Sequence, residues 1–264
     1  MSGSTELAAV KRRARRYFQD EKKWVADLMK ILCMVLAALV FAFSLRVINV
    51  QTNYGIDVSS HNGDINWSDV RKDGVSFAVI RCGGRAYGRS ARIYEDTEFR
   101  RNLRHAHRNG MRVGIYFYSQ ATSEDEARAE AQFCLDSLKG ADLELPIFLD
   151  LEDTNSGGRG RADNLDSEQR DNIINAFCKV IRSKGYKAGI YANRWFLTHE
   201  LNVDKLDHNT AVWLAEYNKR STPIYDGKWD IWQYTEQGKV NGIEGTVDLN
   251  RFPTPNVREN TISQ

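Results

Sequence analysis

Eight strand-like runs, several of them separated by helix-like segments, constrain the fold of this chain more than any other feature. Each run is short, rich in apolar residues and bounded by glycine, proline or polar residues, a pattern typical of buried strands. Helical periodicity lies between several runs, over residues 96–109, 123–138 and 166–184. Strands that alternate with helices favour parallel pairing, and eight of them favour a closed barrel. The runs are residues 54–60, 75–82, 112–118, 145–152, 187–192, 211–217, 229–234 and 245–252.

The last three runs are joined by segments with little helical periodicity. A regular barrel of this type has a helix after each strand, so we expect an irregular barrel in which some helices are missing. The predicted fold class is therefore α/β, an irregular TIM-like (β/α) barrel, over residues 51–264.

The run from Leu145 to Asp153 begins with apolar residues and ends in three carboxylates. Side chains alternate along a strand, so Asp150 and Glu152 are expected on the same face. Two acids held side by side at the end of a hydrophobic strand shift each other's protonation, which suits general acid chemistry. The alternative is an ordinary strand end that meets solvent, where acidic residues are common.

Polar and aromatic residues fall late in other runs as well. In a parallel barrel the strand ends meet at one mouth, where enzymes of this architecture place their sites. Carboxylates flanked by aromatic rings suit a sugar, whose C–H faces stack on rings while its hydroxyls form hydrogen bonds. Ordinary core packing is the alternative for Tyr116, Tyr118, Trp213 and Trp232. The candidate site residues are Asp57, Asp150, Glu152, Asp248, Tyr116, Tyr118, Tyr191, Tyr217 and Gln233.

A basic segment precedes a long apolar run near the N-terminus. Residues 1–30 carry eight Lys/Arg against four Asp/Glu, and residues 31–50 are apolar except for Ser44, Arg46 and Asn49. Twenty helical residues span about 30 Å, the thickness of the hydrocarbon core, provided that Arg46 reaches the interface. Basic residues before a span favour a cytoplasmic N-terminus. We therefore predict a basic cytoplasmic tail over residues 1–30, one transmembrane signal-anchor helix over residues 31–50, and an exported barrel. A cleaved signal peptide and a buried soluble helix are the alternatives.

The charge and cysteine content of the barrel segment bound its partners. Residues 51–264 hold 28 Lys/Arg against 31 Asp/Glu, so no basic face for nucleic acid is expected. Cys82, Cys134 and Cys178 have a spacing that matches no metal motif, and buried free thiols are expected. No cofactor and no metal are expected.

Short motifs along residues 54–252 form an ordered set. The first is Tyr54-Gly55-Ile56-Asp57-Val58-Ser59, followed by Asn62-Gly63-x-Ile65-x-Trp67. The set resembles glycoside hydrolase family 25, the lysozymes or N-acetylmuramidases of the Chalaropsis type. His61 stands where glutamine is frequent in that family. The later motifs are Phe77–Arg81, Gly114–Tyr118, Pro146–Glu152, Gly189–Tyr191, Trp213–Tyr217, Trp232–Tyr234 and Val247–Asn250.

The resemblance implies hydrolysis of the β-1,4 bond from N-acetylmuramic acid to N-acetylglucosamine in peptidoglycan, at the periplasmic or outer face of a bacterial envelope. By resemblance, Glu152 is the proton donor, Asp150 orients the acetamido group of the substrate, and Asp57 and Asp248 are supporting carboxylates. An acetamido oxygen can act as the nucleophile when a carboxylate holds it, so retention of configuration is expected.

Two other functions remain open from the sequence. A metal-dependent hydrolase could use Asp57, His61, Asp150, Glu152 and Asp248 as ligands, although no strong ligand spacing is present. A catalytically inactive peptidoglycan-binding module is the second alternative, and the complete set of site acids argues against it.

Overall fold

The computed structural model describes residues 24, 28–37, 53–88, 90–154 and 160–253. The chain divides into two compact units, Met1–Gln51 and Thr52–Gln264.

In the first unit, residues 28–37 form a helix, α1, whose side chains are exposed. Within the described residues no helix is both long enough and apolar enough to cross a membrane. The predicted span over residues 31–50 lies only partly in α1, because residues 38–50 are outside the described part of the chain, as is most of the basic tail. The transmembrane helix therefore stays a prediction.

In the second unit, the described residues contain one nine-stranded sheet. The strands are β1 (Tyr54–Val58), β2 (Phe77–Arg85), β3 (Ile93–Glu95), β4 (Arg112–Tyr118), β5 (Ile147–Asp150), β6 (Ala188–Asn193), β7 (Ala211–Ala215), β8 (Ile231–Gly238) and β9 (Val247–Arg251). Their order along the sheet is β1-β9-β8-β7-β6-β5-β4-β2-β3, and an additional β1–β2 pairing closes eight of them into a barrel. Of these nine strands, only β3 lies outside the closed ring, as an antiparallel neighbour of β2.

The direction of β9 corrects the expectation of a fully parallel barrel. The neighbouring pairs β1–β2, β2–β4, β4–β5, β5–β6, β6–β7 and β7–β8 are parallel. β9 is antiparallel to both β8 and β1. Residues 239–246, which connect β8 to β9, contain no helix, and so short a connection cannot make the crossover that parallel strands need. As a result β9 starts at the mouth of the barrel instead of ending there.

The helices lie mainly in the first part of the barrel. They are α2 (Trp67–Lys72), α3 (Phe99–Arg108), α4 (Glu124–Leu138), α5 (Ser167–Ser183) and α6 (Arg194–His199), and the 3₁₀ turns are Ser60–Asn62 and Val203–Lys205. The helices predicted over residues 96–109, 123–138 and 166–184 are confirmed as α3, α4 and α5. No helix lies between β7 and β9 in the described residues, so the irregularity expected there is confirmed. The sequence pattern did not predict α2, α6, β3 or the two 3₁₀ turns.

The buried side chains divide into two layers that fix which way each strand faces. The larger cluster contains Ile147 and Leu149 of β5 together with apolar residues of the helices. A smaller cluster contains Phe148, Trp213, three buried residues of β2 and β8, and Leu145 from the loop before β5. Since alternate residues of a strand face opposite sides, Asp150 shares the inner face of β5 with Phe148. The small cluster therefore fills the interior of the barrel, and the acid lies above it.

The three cysteines of this unit, Cys82, Cys134 and Cys178, are buried free thiols, as predicted.

Candidate active site

Four carboxylates come together at the mouth of the barrel. Asp57 lies in β1, Asp150 is the last residue of β5, Glu152 follows two residues later, and Asp248 is the second residue of β9. Asp57 and Asp248 are register partners across the β1–β9 pair. The charge on Glu152 acts on Asp150, and the charge on Asp248 acts on both Asp57 and Glu152. The grouping expected from the sequence is therefore present, although Asp248 reaches the mouth at the beginning of its strand.

Asp57 is held by two amide side chains. Its Oδ2 accepts hydrogen bonds from Nε2 of Gln233, at 2.9 Å, and from Nδ2 of Asn250, at 2.7 Å. All three residues are buried. Burial raises the pKa of Asp57 well above its ordinary value, and repulsion from Asp248 raises it further, while the two amide donors act in the opposite direction.

The two amides are themselves held by aromatic side chains. Oε1 of Gln233 accepts hydrogen bonds from the hydroxyls of Tyr191, at 3.0 Å, and Tyr217, at 2.8 Å. Oδ1 of Asn250 accepts one from the indole Nε1 of Trp213, at 2.7 Å. Both donors to Asp57 are therefore fixed in orientation by partners on other strands. Gln233, a predicted substrate-binding residue, uses both ends of its amide within the protein.

Asp150 is buried, with one oxygen left without a partner. It is 5% exposed, and within the described part of the chain its Oδ1 has no hydrogen-bond partner. Burial raises its pKa well above the ordinary value, Glu152 and Asp57 raise it further, and Arg81 lowers it. A buried carboxylate oxygen without a donor costs free energy, so Asp150 is prepared to accept a hydrogen bond from a bound molecule.

Arg81 on β2 is the cation whose charge lowers the pKa of Asp150. Its guanidinium forms an ion pair with Asp96, with 2.6 Å between Nη2 and Oδ2, and donates a hydrogen bond to Oγ of Ser60 at 3.0 Å. The Ser60 backbone N–H donates to the same Asp96 oxygen at 3.0 Å. This network holds a positive charge at the mouth without neutralising Asp150 by direct contact.

Glu152 has the protonation behaviour of a general acid. It lies just beyond the end of β5 and is half-buried. Burial, followed by repulsion from Asp153 and Asp248, raises the pKa of Glu152 from 4.5 to about 7. A substantial fraction of Glu152 is therefore protonated near neutral pH, when an exposed glutamate would be ionised.

Tyrosines flank the acids on both sides. Tyr118 of β4 and Tyr191 of β6 are the register partners of Asp150 on the two neighbouring strands. Burial and the charges of Glu152 and Asp150 raise the pKa of both hydroxyls. Burial and the charge of Asp57 also raise the pKa of Tyr116. These hydroxyls stay neutral and can donate hydrogen bonds.

Ordinary core packing, the alternative function for four aromatic side chains, applies to the two tryptophans but not fully to the two tyrosines. Trp213 and Trp232 are buried. Tyr116 is only half-buried and its ring meets Trp213 edge to face, at 5.7 Å between centroids. Tyr118 is also half-buried. The two tyrosines therefore lie between the core and the mouth, whereas the two tryptophans belong to the core.

The proposed metal ligands do not form a metal site in the described residues. Asp57, Asp150, Glu152 and Asp248 gather at the mouth, but His61 is exposed on the 3₁₀ turn Ser60–Asn62. Across residues 53–88, 90–154 and 160–253, no three His, Cys, Asp or Glu side chains are arranged to hold an ion.

Asn250, Arg81 and Trp213 are parts of the site that were not predicted as site residues. Arg81 had a usable signal, since it is a single charge inside the apolar run Phe77–Cys82. Asn250 and Trp213 lie in the motifs Val247–Asn250 and Trp213–Tyr217. No local pattern indicates their contacts, because the contact between them joins residues 37 positions apart and the contact of Asn250 with Asp57 joins residues 193 apart.

The comparison of the chain with known protein families gives one match. The sequence model described as glycosyl hydrolases family 25 matches residues 56–243. Lysozyme M1 of Streptomyces globisporus is 28% identical over 205 residues, an alignment that covers 75% of this chain and 67% of that protein.

Solved structures give the same fold. The bacterial lysozyme of Streptomyces coelicolor superposes with a TM-score of 0.64 at 28% identity, over 79% of this chain and 95% of the lysozyme. The modular autolysin LytC of Streptococcus pneumoniae, solved in complex with a synthetic peptidoglycan ligand, superposes with a TM-score of 0.63 at 27% identity. That match covers 76% of this chain and 46% of the autolysin.

Proposed function

Since the chain belongs to glycosyl hydrolases family 25, we propose that it is a lysozyme that hydrolyses peptidoglycan. The bond cleaved is the β-1,4 bond between N-acetylmuramic acid and N-acetylglucosamine. The observation that carries this proposal is the pairing of a buried Asp150 with a Glu152 whose pKa is about 7, at the mouth of a barrel lined by tyrosines. Hydrolysis of a glycoside requires a protonated acid at the leaving oxygen and a group that stabilises the positive charge developing on the sugar ring.

Glu152 is the proposed proton donor. Its raised pKa keeps it protonated when substrate arrives, and its place beyond the strand end leaves it accessible to the glycosidic oxygen. After the bond breaks, the ionised Glu152 is the base that activates water.

Asp150 is the proposed partner of the acetamido group. Its partner-free Oδ1 can accept a hydrogen bond from the acetamido N–H of the sugar, which turns the acetamido oxygen toward the reacting carbon. The substrate then supplies its own nucleophile, and water opens the cyclic intermediate in a second displacement. Two inversions give net retention. Arg81 lowers the pKa of Asp150 and so opposes the larger effects of burial, Glu152 and Asp57, which favour the protonated acid.

Asp57 and Asp248 are proposed as supporting carboxylates. Asp57 is fully engaged through Oδ2 with Gln233 and Asn250, so it fixes the floor of the site. Asp248 is half-buried, so its carboxylate can accept hydrogen bonds from solvent or substrate more readily than the buried Asp57. The hydroxyls of Tyr116 and Tyr118 are the proposed donors to the substrate. The hydroxyl protons of Tyr191 and Tyr217 are donated to Gln233, so these two oxygens are proposed to accept hydrogen bonds from sugar hydroxyls.

The location of the enzyme is also part of the proposal. Peptidoglycan lies outside the cytoplasmic membrane, so a barrel that acts on it must be exported. The apolar run over residues 31–50, preceded by a basic segment, supports a single signal-anchor helix with the barrel on the outer side.

One experiment separates this function from the two alternatives. Purified peptidoglycan is incubated with the full-length chain, and newly formed reducing ends are measured with and without a metal chelator. The lysozyme proposal predicts reducing ends in both conditions. Activity that the chelator abolishes would indicate the metal-dependent hydrolase, and binding to peptidoglycan without new reducing ends would indicate the inactive binding module.

A further inference from the structure

Trp195 is a large aromatic side chain left exposed beside the candidate site. It is 61% exposed, whereas Trp67, Trp213 and Trp232 are buried. It lies on α6, which begins directly after β6, the strand that carries Tyr191. Because burying aromatic surface is strongly favourable, an exposed tryptophan at the edge of a site indicates a surface that a ligand covers.

The short helix α6 is anchored so that Trp195 faces outward. The side chain of Asn193 caps the helix by accepting a hydrogen bond from the backbone N–H of Phe196, at 2.8 Å. Phe196 and Leu197 are buried. These contacts fix one face of α6 against the barrel, so that Trp195 and His199 occupy the solvent side.

His199 holds the indole ring in place. The two rings are stacked with 3.7 Å between centroids and 17° between planes. The imidazole Nδ1 lies 3.1 Å from the carbonyl oxygen of Trp195 and 2.7 Å from Oγ1 of Thr198. With His199 on one face of the indole, the opposite face is the accessible one. A ring already fixed in position loses little rotamer freedom when a ligand binds.

The strand register places the backbone of Trp195 next to the strand ends that carry the candidate site. Asn193 and Ala215 are partners across the β6–β7 pair, so Trp195 and Tyr217 each lie two residues beyond the same rung. Tyr217 is 49% exposed and its hydroxyl reaches Gln233 inside the site. At about 3.3 Å per residue, at most about 13 Å separates the Cα atoms of Tyr191 and Trp195.

We propose that the exposed face of Trp195 binds a sugar ring of the glycan strand outside the two sugars that flank the cleaved bond. This inference rests on the proposed function and names a further binding position for its substrate. The indole offers a flat apolar surface that matches the C–H face of a pyranose ring. Long strands reach both the acids and Trp195, whereas short fragments reach only the acids.

The test compares two variants of the full-length chain on two substrates. Trp195→Leu keeps an apolar side chain but removes the flat ring, and Trp195→Phe keeps a flat ring. On glycan strands of many disaccharide repeats, the leucine variant should show a KM about three- to tenfold higher with kcat unchanged, the size expected for one aromatic stacking contact. The phenylalanine variant should retain most of the affinity. On the disaccharide N-acetylmuramyl-β-1,4-N-acetylglucosamine, which has only the two sugars that flank the cleaved bond, both variants should match the wild type.

The remaining outcomes overturn the proposal in distinguishable ways. A leucine variant with wild-type KM on long strands means that Trp195 binds no sugar, while the proposed function stands. An equal loss on the disaccharide means that Trp195 acts at the cleaved bond. If the wild-type chain cleaves neither substrate, the proposed function itself fails and this inference fails with it. Equal melting temperatures of the three proteins establish that the exposed substitution leaves the fold intact.

Discussion

Asp57 and Asp248 lie directly opposite each other on the antiparallel strands β1 and β9. Oδ2 of Asp57 already accepts two hydrogen bonds from amide side chains. Burial raises the pKa of both acids, and the charge of Asp248 raises that of Asp57 further. Two carboxylates this close favour holding a proton between them. The pair therefore lowers the negative charge of the site and allows Asp150 and Glu152 to occupy the same mouth.

Replacing Glu152 by glutamine should remove most of the activity without unfolding the barrel. The amide keeps the shape of the side chain but cannot donate the proton, and general acid catalysis contributes about 10²–10⁴-fold. We expect kcat on peptidoglycan to fall by a factor in this range, measured as the initial rate of reducing-end release. Near-wild-type turnover with unchanged melting would move the acid to another residue, with Asp248 the next candidate.

The same variant has a predicted effect on stability. The folded-state pKa of Glu152 is raised from 4.5 to about 7. Its contribution to the free energy of unfolding is therefore fully present below pH 4.5 and is lost as the pH rises through about 7. The glutamine variant does not titrate. The melting temperature of the variant minus that of the wild type should therefore increase between pH 4.5 and pH 8. A difference that does not change with pH would contradict the raised pKa.

The activity should fall as the pH rises through about 7. Glu152 must be protonated to act as the acid, and its pKa is about 7, so kcat/KM should decline on the alkaline side of that value. Repulsion from Asp153 contributes to the raised pKa. Asp153→Asn should accordingly move the alkaline limb of the pH–rate profile to lower pH.

The matched control for the pH profile is Asp142→Asn, a substitution of an exposed acid that lies in the loop before β5. This variant should leave the alkaline limb in place. If the pH–rate profile of Asp153→Asn superposes on that of the wild type, a group other than Glu152 determines the pH of the alkaline limb.

Replacing Asp150 by asparagine should slow the first chemical step while leaving glycan binding largely intact. The amide cannot hold the acetamido N–H as a carboxylate does, so the internal nucleophile is no longer oriented. Proton NMR during the first minutes of the wild-type reaction should show the β-anomer as the first product, because two displacements retain configuration. If the α-anomer appears first, the enzyme inverts, and Asp57 or Asp248 would have to act as the base for direct attack by water.

Removing residues 1–50 should convert a membrane-bound protein into a soluble one. Residues 31–50 form the proposed anchor, and the barrel unit Thr52–Gln264 is a separate compact unit that retains all the site residues. The measurement is the partition of the two proteins between membrane and soluble fractions after cell lysis. Full-length protein in the soluble fraction, without detergent and without proteolytic processing, would count against the anchor.

The sequence predicted those parts of the structure that depend on local pattern. All eight barrel strands were visible because each is a short apolar run between breakers. The run over residues 145–152 is shorter as a strand than predicted, because β5 ends at Asp150. Glu152 therefore lies beyond the strand, and alternation along one strand does not account for its position. The antiparallel course of β9 was not predicted, although the short segment over residues 239–246 carried a signal, because a parallel return needs a longer connection.

The rest of the site depends on contacts between distant parts of the chain. The links from Trp213 through Asn250 to Asp57, and from the tyrosines through Gln233 to Asp57, are hydrogen bonds across the barrel. No local pattern predicts which amide meets which acid. The raised pKa values of the acids depend on burial and on neighbouring charges, which only the closed barrel defines.

The end group of the released fragments tests the central claim most directly. Peptidoglycan is digested to completion with the full-length chain, the products are reduced with borohydride, and their masses and fragments are read by mass spectrometry. Cleavage by Glu152 and Asp150 at the proposed bond predicts fragments that all end in reduced N-acetylmuramic acid, released about 10²–10⁴-fold more slowly by the Glu152→Gln variant. Fragments that end in reduced N-acetylglucosamine, or no fragments from the wild-type chain, would contradict the account.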